Sequence, residues 1–339
     1  MNQRNLEIDL TKGILTVGMV LSHSFKFLAD NSDRSLIFIS TITDIVSFSG
    51  FLFCFGYAAW IAYLQKDQLP WSNLLKTVIK CYLAFVISAI GFRVLVSSET
   101  PDLSLVARIA SVRDMPPFSE FLFAFAVITL LGSILQKFVE RATRSWQELT
   151  VATIVCVAFT FLPGEIRYDP LISQFLGGKD FIGYPIIPYL PLFLLGVFRA
   201  RHSEQFSGRY YVLAALTGIL LYVVFLASGI SLNRFPPSAG WILSSAGLFS
   251  VYYLVAHIVD EKFPRFIQRY LNAVGQNVLL YLLLSNLVLF TSYALGLKGI
   301  LTISQALIFY VSFMGFTLFL QFIAVDLKRS NQSLDQAGG

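Results

Sequence analysis

Ten apolar blocks separated by short polar stretches organise the chain, approximately at 13–29, 36–64, 74–97, 116–136, 148–163, 182–198, 210–230, 237–258, 273–295 and 300–324. Most have about the 20 residues that a helix needs to cross the hydrocarbon core. They lack the alternation of a strand, and only helices and closed barrels satisfy the backbone in lipid. The pattern predicts an all-α, polytopic membrane helical bundle of about ten transmembrane helices. The second block exceeds one span, which predicts tilt or a start outside the membrane. The fifth is short and stops at Pro163-Gly164. Two connections are long, 98–115 and 164–181. The first holds Arg108, Arg113 and Asp114 ahead of Pro116-Pro117; the second holds Glu165, Arg167, Asp169, Gly177-Gly178, Lys179 and Asp180. Long loops are often functional, and a solvated connection explains either one equally well. No internal repeat is legible, which weighs against an inverted-repeat transporter. The expected organisation is one transmembrane domain over 1–329 and a short disordered cytoplasmic tail over 330–339.

Composition adds the solvent. The 339 residues are 56% hydrophobic and only 13% charged, against about 25% charged in soluble domains. So few charges cannot cover a water-facing surface, so the lipid bilayer is the expected partner. No polar stretch is long enough to fold separately in water. The net charge of +5 lies in clusters between apolar blocks rather than along one polar face, and no nucleic-acid motif is present. With the N-terminus inside, cytoplasmic segments collect Lys66, Lys76, Lys80, Lys137, Arg141, Arg144, Arg199, Arg201, Arg209, Lys262, Arg265, Arg269, Lys328 and Arg329. Arg4 and Lys12 bring that side to about sixteen basic residues against about nine outside, which predicts N-in, C-in and an even number of spans. The first helix does not read as a cleavable signal, because Glu7, Asp9, His23 and Lys26 interrupt it and no small-residue cleavage site follows. Cys54, Cys81 and Cys156 all fall within apolar blocks and form neither a disulfide framework nor a metal-ligand spacing. They read as buried spectators, and no metal is expected.

Ionisable side chains within membrane helices usually face a cavity or a partner. Four places qualify: Lys12 with His23, Asp44, Glu120 and His257. Lys12 and His23 are eleven residues apart, about 16 Å along a helix and within about 20° of three full turns. One helix face therefore carries a cation near the membrane surface and an imidazole deep behind it, with Asp9 placed to pair with Lys12. That arrangement suits a long ligand with an anionic end, as coenzyme A is, and a neutral histidine can take a proton from an acceptor hydroxyl. The alternatives stay open: Lys12 can snorkel to the interface, and a membrane histidine can simply bond a neighbouring helix. Asp44 suits orienting His23 or a solvated helix start. Glu120, flanked by aromatic and aliphatic residues, suits a cavity or a structural pair. His257 reads as an interface residue, as do Tyr184 and Tyr189. Arg199 and Arg201 suit phosphates or positive-inside anchoring.

The segment IDLTKGILTVGMVLSH (8–23) resembles the opening of the transmembrane acyltransferase superfamily, which includes the acyltransferase 3 family and relatives of heparan-α-glucosaminide N-acetyltransferase. Asp9, Lys12-Gly13 and His23 match its pattern of an acid, a basic residue with glycine, and a histidine. FSGFLFCFGY (48–57) is similar to the Ser-Gly-Phe segment of the second helix, and Asp44 to the acid that starts that helix in the heparan-type relatives. YPIIPYLPLFLLGVFRAR (184–201), RFPPSAGWIL (234–243) and VGQNVLLYLLLSN (274–286) resemble later segments in the same order. Lys76 and Lys80 stand where acyltransferase 3 enzymes often carry paired arginines, and Ser285-Asn286 where the late helix often ends in Leu-His.

The resemblance implies transfer of an acyl group, often acetyl, from cytoplasmic acyl-coenzyme A to a hydroxyl or amine of a sugar or other envelope acceptor. It implies His23 as general base or transient acyl carrier, with Asp44 or Glu120 orienting it. Lys12, Lys76, Lys80, Arg199 and Arg201 are the expected donor-binding residues. It further implies a bacterial inner membrane, with the oligomeric state open and a homo-oligomer among the options. The competing reading is a secondary transporter of a small metabolite or lipid, with the buried ionisable groups as a proton relay. A third is a non-catalytic member of an envelope-synthesis complex.

Overall fold

The computed structural model describes residues 5–30, 34–162, 169–178, 183–206, 208–230, 232–235 and 237–337. Pro163, Gly164, Glu165, Arg167, Lys179 and Asp180 lie outside them. Fourteen α-helices form among the described residues: α1 Leu6–Leu28, α2 Arg34–Ala59, α3 Trp71–Leu95, α4 Leu103–Ala110, α5 Glu120–Ile134, α6 Gln136–Ala142 and α7 Trp146–Ala158. The remainder are α8 Pro170–Leu176, α9 Ile186–Arg201, α10 Gly208–Ala227, α11 Ala239–Lys262, α12 Arg265–Gln276, α13 Val278–Ala294 and α14 Ile303–Ala337. A π-helical turn, Trp60–Leu64, extends α2 across the rest of the long second block.

The protein is an all-α, polytopic membrane bundle, and every apolar block coincides with a helix. By length and composition five helical segments qualify as spans, or up to seven when the bent pairs α5–α6 (89°) and α12–α13 (80°) each count as one. The other three blocks fall on α1, α7 and α9. The last two are short, at 13 and 16 residues. In α1, Lys12, Ser22, His23, Ser24 and Lys26 dilute the apolar character. Its surroundings explain this, because α1 is the central helix and packs on α2, α11, α12, α13 and α14.

One helix departs from the sequence expectation. The ninth block is broken: Asn277 takes a non-helical conformation (φ −126°, ψ 31°), and its amide donates to the Ala273 carbonyl at 3.1 Å. That contact ends α12 and turns the chain into α13. At the other end α14 spans Ile303–Ala337, with no glycine or proline within 324–337 to interrupt it.

Lipid-facing and buried helices separate clearly. On α3 the row Leu75, Ile79, Leu83 and Ile87 is exposed, as are Leu213, Leu216 and Leu220 on α10 and Ile308, Val311 and Phe319 on α14. Apolar side chains left uncovered at this density mark a surface solvated by hydrocarbon. The interior is aromatic: Phe48, Phe51, Phe55 and Phe125 link α2 to α5, with Phe48 against Tyr184 and Tyr189. Tyr184 and Tyr189 are thus core residues (5% and 1% exposed), and not the interface aromatics that the sequence suggests.

Candidate active site

The site is built on the central helix. Asn5 caps α1 by accepting from the Ile8 amide at 3.2 Å, and its own amide donates to the Tyr57 hydroxyl at 2.9 Å. One turn on, Lys12 pairs with Asp9 at 2.5 Å, the predicted i, i+3 contact. Both face a cavity of about 500 Å³ whose lining also includes Tyr57, Tyr63, Lys66 and Asn73. This end of the bundle therefore offers two ammonium groups with amide and phenol donors beside them, the equipment to hold an anion.

His23 lies about 16 Å further along the same face. It is 8% exposed and has no hydrogen bond to either ring nitrogen among the described residues. Its ring meets the edge of Phe118, with centroids 5.1 Å apart. Phe118 sits at φ +67°, a conformation bulky residues rarely adopt. The Asn286 amide holds it there, donating to the Phe118 carbonyl at 2.7 Å and to Ser88 Oγ at 2.9 Å. Asn286 is the position where the resemblance expects histidine. Here it anchors the backbone that covers His23.

Around the imidazole lies a charged group that sequence reasoning located only in part. Asp44 accepts from Ser22 Oγ at 3.2 Å and from the Lys26 ammonium, and lies 3.6 Å from Arg234 Nη1. It makes no hydrogen bond to His23 among the described residues; its carboxylate is taken up by Ser22, Lys26 and Arg234. All three charges lie within electrostatic range of His23. Glu120 opens α5, is 6% exposed, and also sits within range of Arg234, but it too makes no bond to His23. Arg234 belongs to the α10–α11 connection and is placed over the rings of Tyr184 and Phe235 at 5.2 and 4.8 Å. Burial pulls its guanidinium below the ordinary value, while Asp44 and Glu120 act against that shift. Lys26 was detectable, being three residues after His23. Arg234 was not, because nothing in a loop sequence says it folds back into the bundle.

The expected donor-binding residues do not converge. Lys12 lines the 500 Å³ cavity. Arg201 lines a neighbouring one of about 450 Å³ with Lys66 and Lys137, donates to the Glu140 carbonyl at 2.6 Å, and lies over Trp60. The two cavities meet at Lys66. Arg199 is buried in a separate polar knot with Tyr211, the Tyr253 hydroxyl (3.4 Å) and the Ser203 carbonyl (3.3 Å). Tyr253 donates in turn to Glu7, which also meets His257 at 3.2 Å. Lys76 and Lys80 are exposed on α3. Among the described residues no group of three or more His, Cys, Asp or Glu gathers as a metal site.

Fold and site together define a polytopic membrane protein with a charged, histidine-centred site sealed inside its helices. Residues 4–232 match the model of the family described as "Heparan-alpha-glucosaminide N-acetyltransferase, catalytic". The chain belongs to that family, and the membership identifies a membrane acetyltransferase. The match takes in Lys12, His23, Asp44 and Glu120 but ends before Arg234 and Asn286. No curated protein matches the chain.

Proposed function

We propose that this protein moves an acetyl group from cytoplasmic acetyl-coenzyme A to a hydroxyl or amine of a sugar or other acceptor in a bacterial envelope, using one membrane domain over 1–329. The observation that carries the reading is the placement of Lys12 and His23 on one face of the central helix, with a cavity at the Lys12 end. Phosphates of the donor pair with Lys12 and Lys66, and the pantetheine arm runs along α1 toward the imidazole. Neutral His23 takes the proton of the acceptor O–H or N–H as that atom attacks the thioester carbon. The C–S bond breaks, and the proton passes to the departing thiolate. Attack by the imidazole itself, followed by transfer from an acyl-histidine, gives the same products in two steps. Asp44 tunes the field at the ring by holding Lys26 beside it. A membrane enzyme suits this chemistry because donor and acceptor are made on opposite sides.

The test is purified protein with acetyl-coenzyme A labelled on the acetyl group, with and without total envelope extract, beside His23→Ala. Label transfer by the parent, falling by about 10²–10⁴-fold in the variant, is the expected result. Substrate uptake into liposomes without loss of the thioester would instead support a transporter. Label retained on the parent without acceptor and absent from His23→Ala would select the acyl-histidine route.

A further inference from the structure

Among the described residues, two buried side-chain polar atoms have no hydrogen-bond partner, Glu120 Oε2 and Arg234 Nε. They belong to side chains of opposite charge that lie within electrostatic range of each other. Even so, no ion pair joins them among the described residues; the Arg234 contact to a carboxylate goes to Asp44 at 3.6 Å. Leaving a carboxylate oxygen unpaired in a sealed interior is costly. Orphan atoms of this kind point to a group that the chain does not supply.

The chemistry of that group follows from the pair. It must donate to Oε2 and accept from Nε–H. One hydroxyl has both capacities, and a hydroxyl next to a second hydroxyl or an amine meets both demands at once. The surroundings suit a ring with an apolar face and a polar edge, because Tyr184 and Phe235 stand beside the guanidinium. The position suits an acceptor as well: Arg234 lies within range of His23, at the opposite end of α1 from the Lys12 cavity. Resting on the acetyltransferase reading, we propose that Glu120 and Arg234 form the acceptor clamp, holding a sugar through adjacent hydroxyl or amino groups against His23. Glu120 is then a binding residue rather than the orienting partner of the imidazole, and Arg234 adds a contact from outside the family match.

The experiment uses full-length protein in detergent with acetyl-labelled acetyl-coenzyme A. The acceptor panel is glucosamine, methyl glucoside, cyclohexylamine and cyclohexanol; the last two are of ring size but carry one polar group. Parent, Glu120→Gln and Arg234→Lys are compared after each has eluted as folded protein. Label transfer to a sugar and not to the cyclohexyl probes is expected. Each variant should raise KM for that sugar by at least about tenfold while KM for acetyl-coenzyme A moves less than about twofold. Competition on the parent needs no variant: methyl glucoside should suppress transfer to glucosamine, and cyclohexanol should not. Equal transfer to cyclohexyl probes, or an unchanged sugar KM, overturns the clamp and leaves water as the partner of the orphan atoms. Thiol release from acetyl-coenzyme A with no transfer to either sugar also overturns it but leaves the acetyltransferase reading standing. Neither thiol release nor donor binding by the parent overturns the reading beneath it.

Discussion

Asn286 shows how one residue can shape the site without touching the reacting atoms. Its amide satisfies two groups at once, the Phe118 carbonyl and Ser88 Oγ, and the first of these holds a backbone turned to positive φ. Replacing it by leucine keeps the volume and removes both donors. The buried carbonyl then lacks its donor, at a cost of about 1–3 kcal/mol, and Phe118 is released from the edge of His23. Asn286→Leu is therefore expected to lower the thermal midpoint in detergent and to reduce acetyl transfer together. An unchanged midpoint would mean that Pro116 and Pro117 alone hold the turn. At this scale the sequence was readable wherever spacing along one helix carried the information, as for Asp9, Lys12 and His23. It was silent wherever the site is closed by residues from other elements. Asn286 and Arg234 reach His23 across 263 and 211 positions respectively, and no periodicity connects such distances.

Helices in lipid gain little from burying apolar surface against one another, so close backbone approach decides which of them pair. Gly13 and Gly275 face each other's backbones where α1 crosses α12, and Gly56 and Gly196 do the same where α2 crosses α9. A Cβ at any of the four would fall inside contact distance of a carbonyl of the partner helix. These glycines lie in the segments that carry the family resemblance, so part of that resemblance records packing rather than chemistry. The pairing itself was not read from the sequence, and neither was the break at Asn277, because apolar residues stand on both sides of it and no proline marks it. Gly196→Val is expected to separate α2 from α9, costing about 1–3 kcal/mol or more as overpacking, and to reduce the yield of monodisperse protein. Gly315 in α14 has open space around it, so Gly315→Ala should be tolerated and stabilise by about 0.4–1 kcal/mol. Comparable losses from both substitutions would show that glycine acts through helix propensity here, and not through contact.

Charge differs between the two ends of the bundle, and that difference bears on where each substrate enters. At the His23 end four cations are locally answered: Arg93 meets Asp114 at 2.6 Å and Glu99 at 3.5 Å, Arg108 meets Glu99 at 3.0 Å, and Lys26 and Arg234 share Asp44. At the Lys12 end Lys66, Lys76 and Lys80 have no ion pair among the described residues. Unpaired basic residues resist crossing the membrane, which is the physical root of the inside bias. They also attract a polyanionic donor. On the proposed reading the same excess both orients the protein and receives the nucleotide of the donor, so the two roles stand or fall together. Cysteines placed at Asp67 and Lys298, both exposed positions near opposite ends, test this. The native Cys54, Cys81 and Cys156 are buried and contribute little background. In intact cells a membrane-impermeant maleimide should label Lys298→Cys, while Asp67→Cys should label only after the membrane is opened. The reverse pattern would place the Lys12 cavity away from the coenzyme A pool. A cytoplasmic donor would then have to reach His23 from the Arg234 end, and the clamp and the donor path would exchange places.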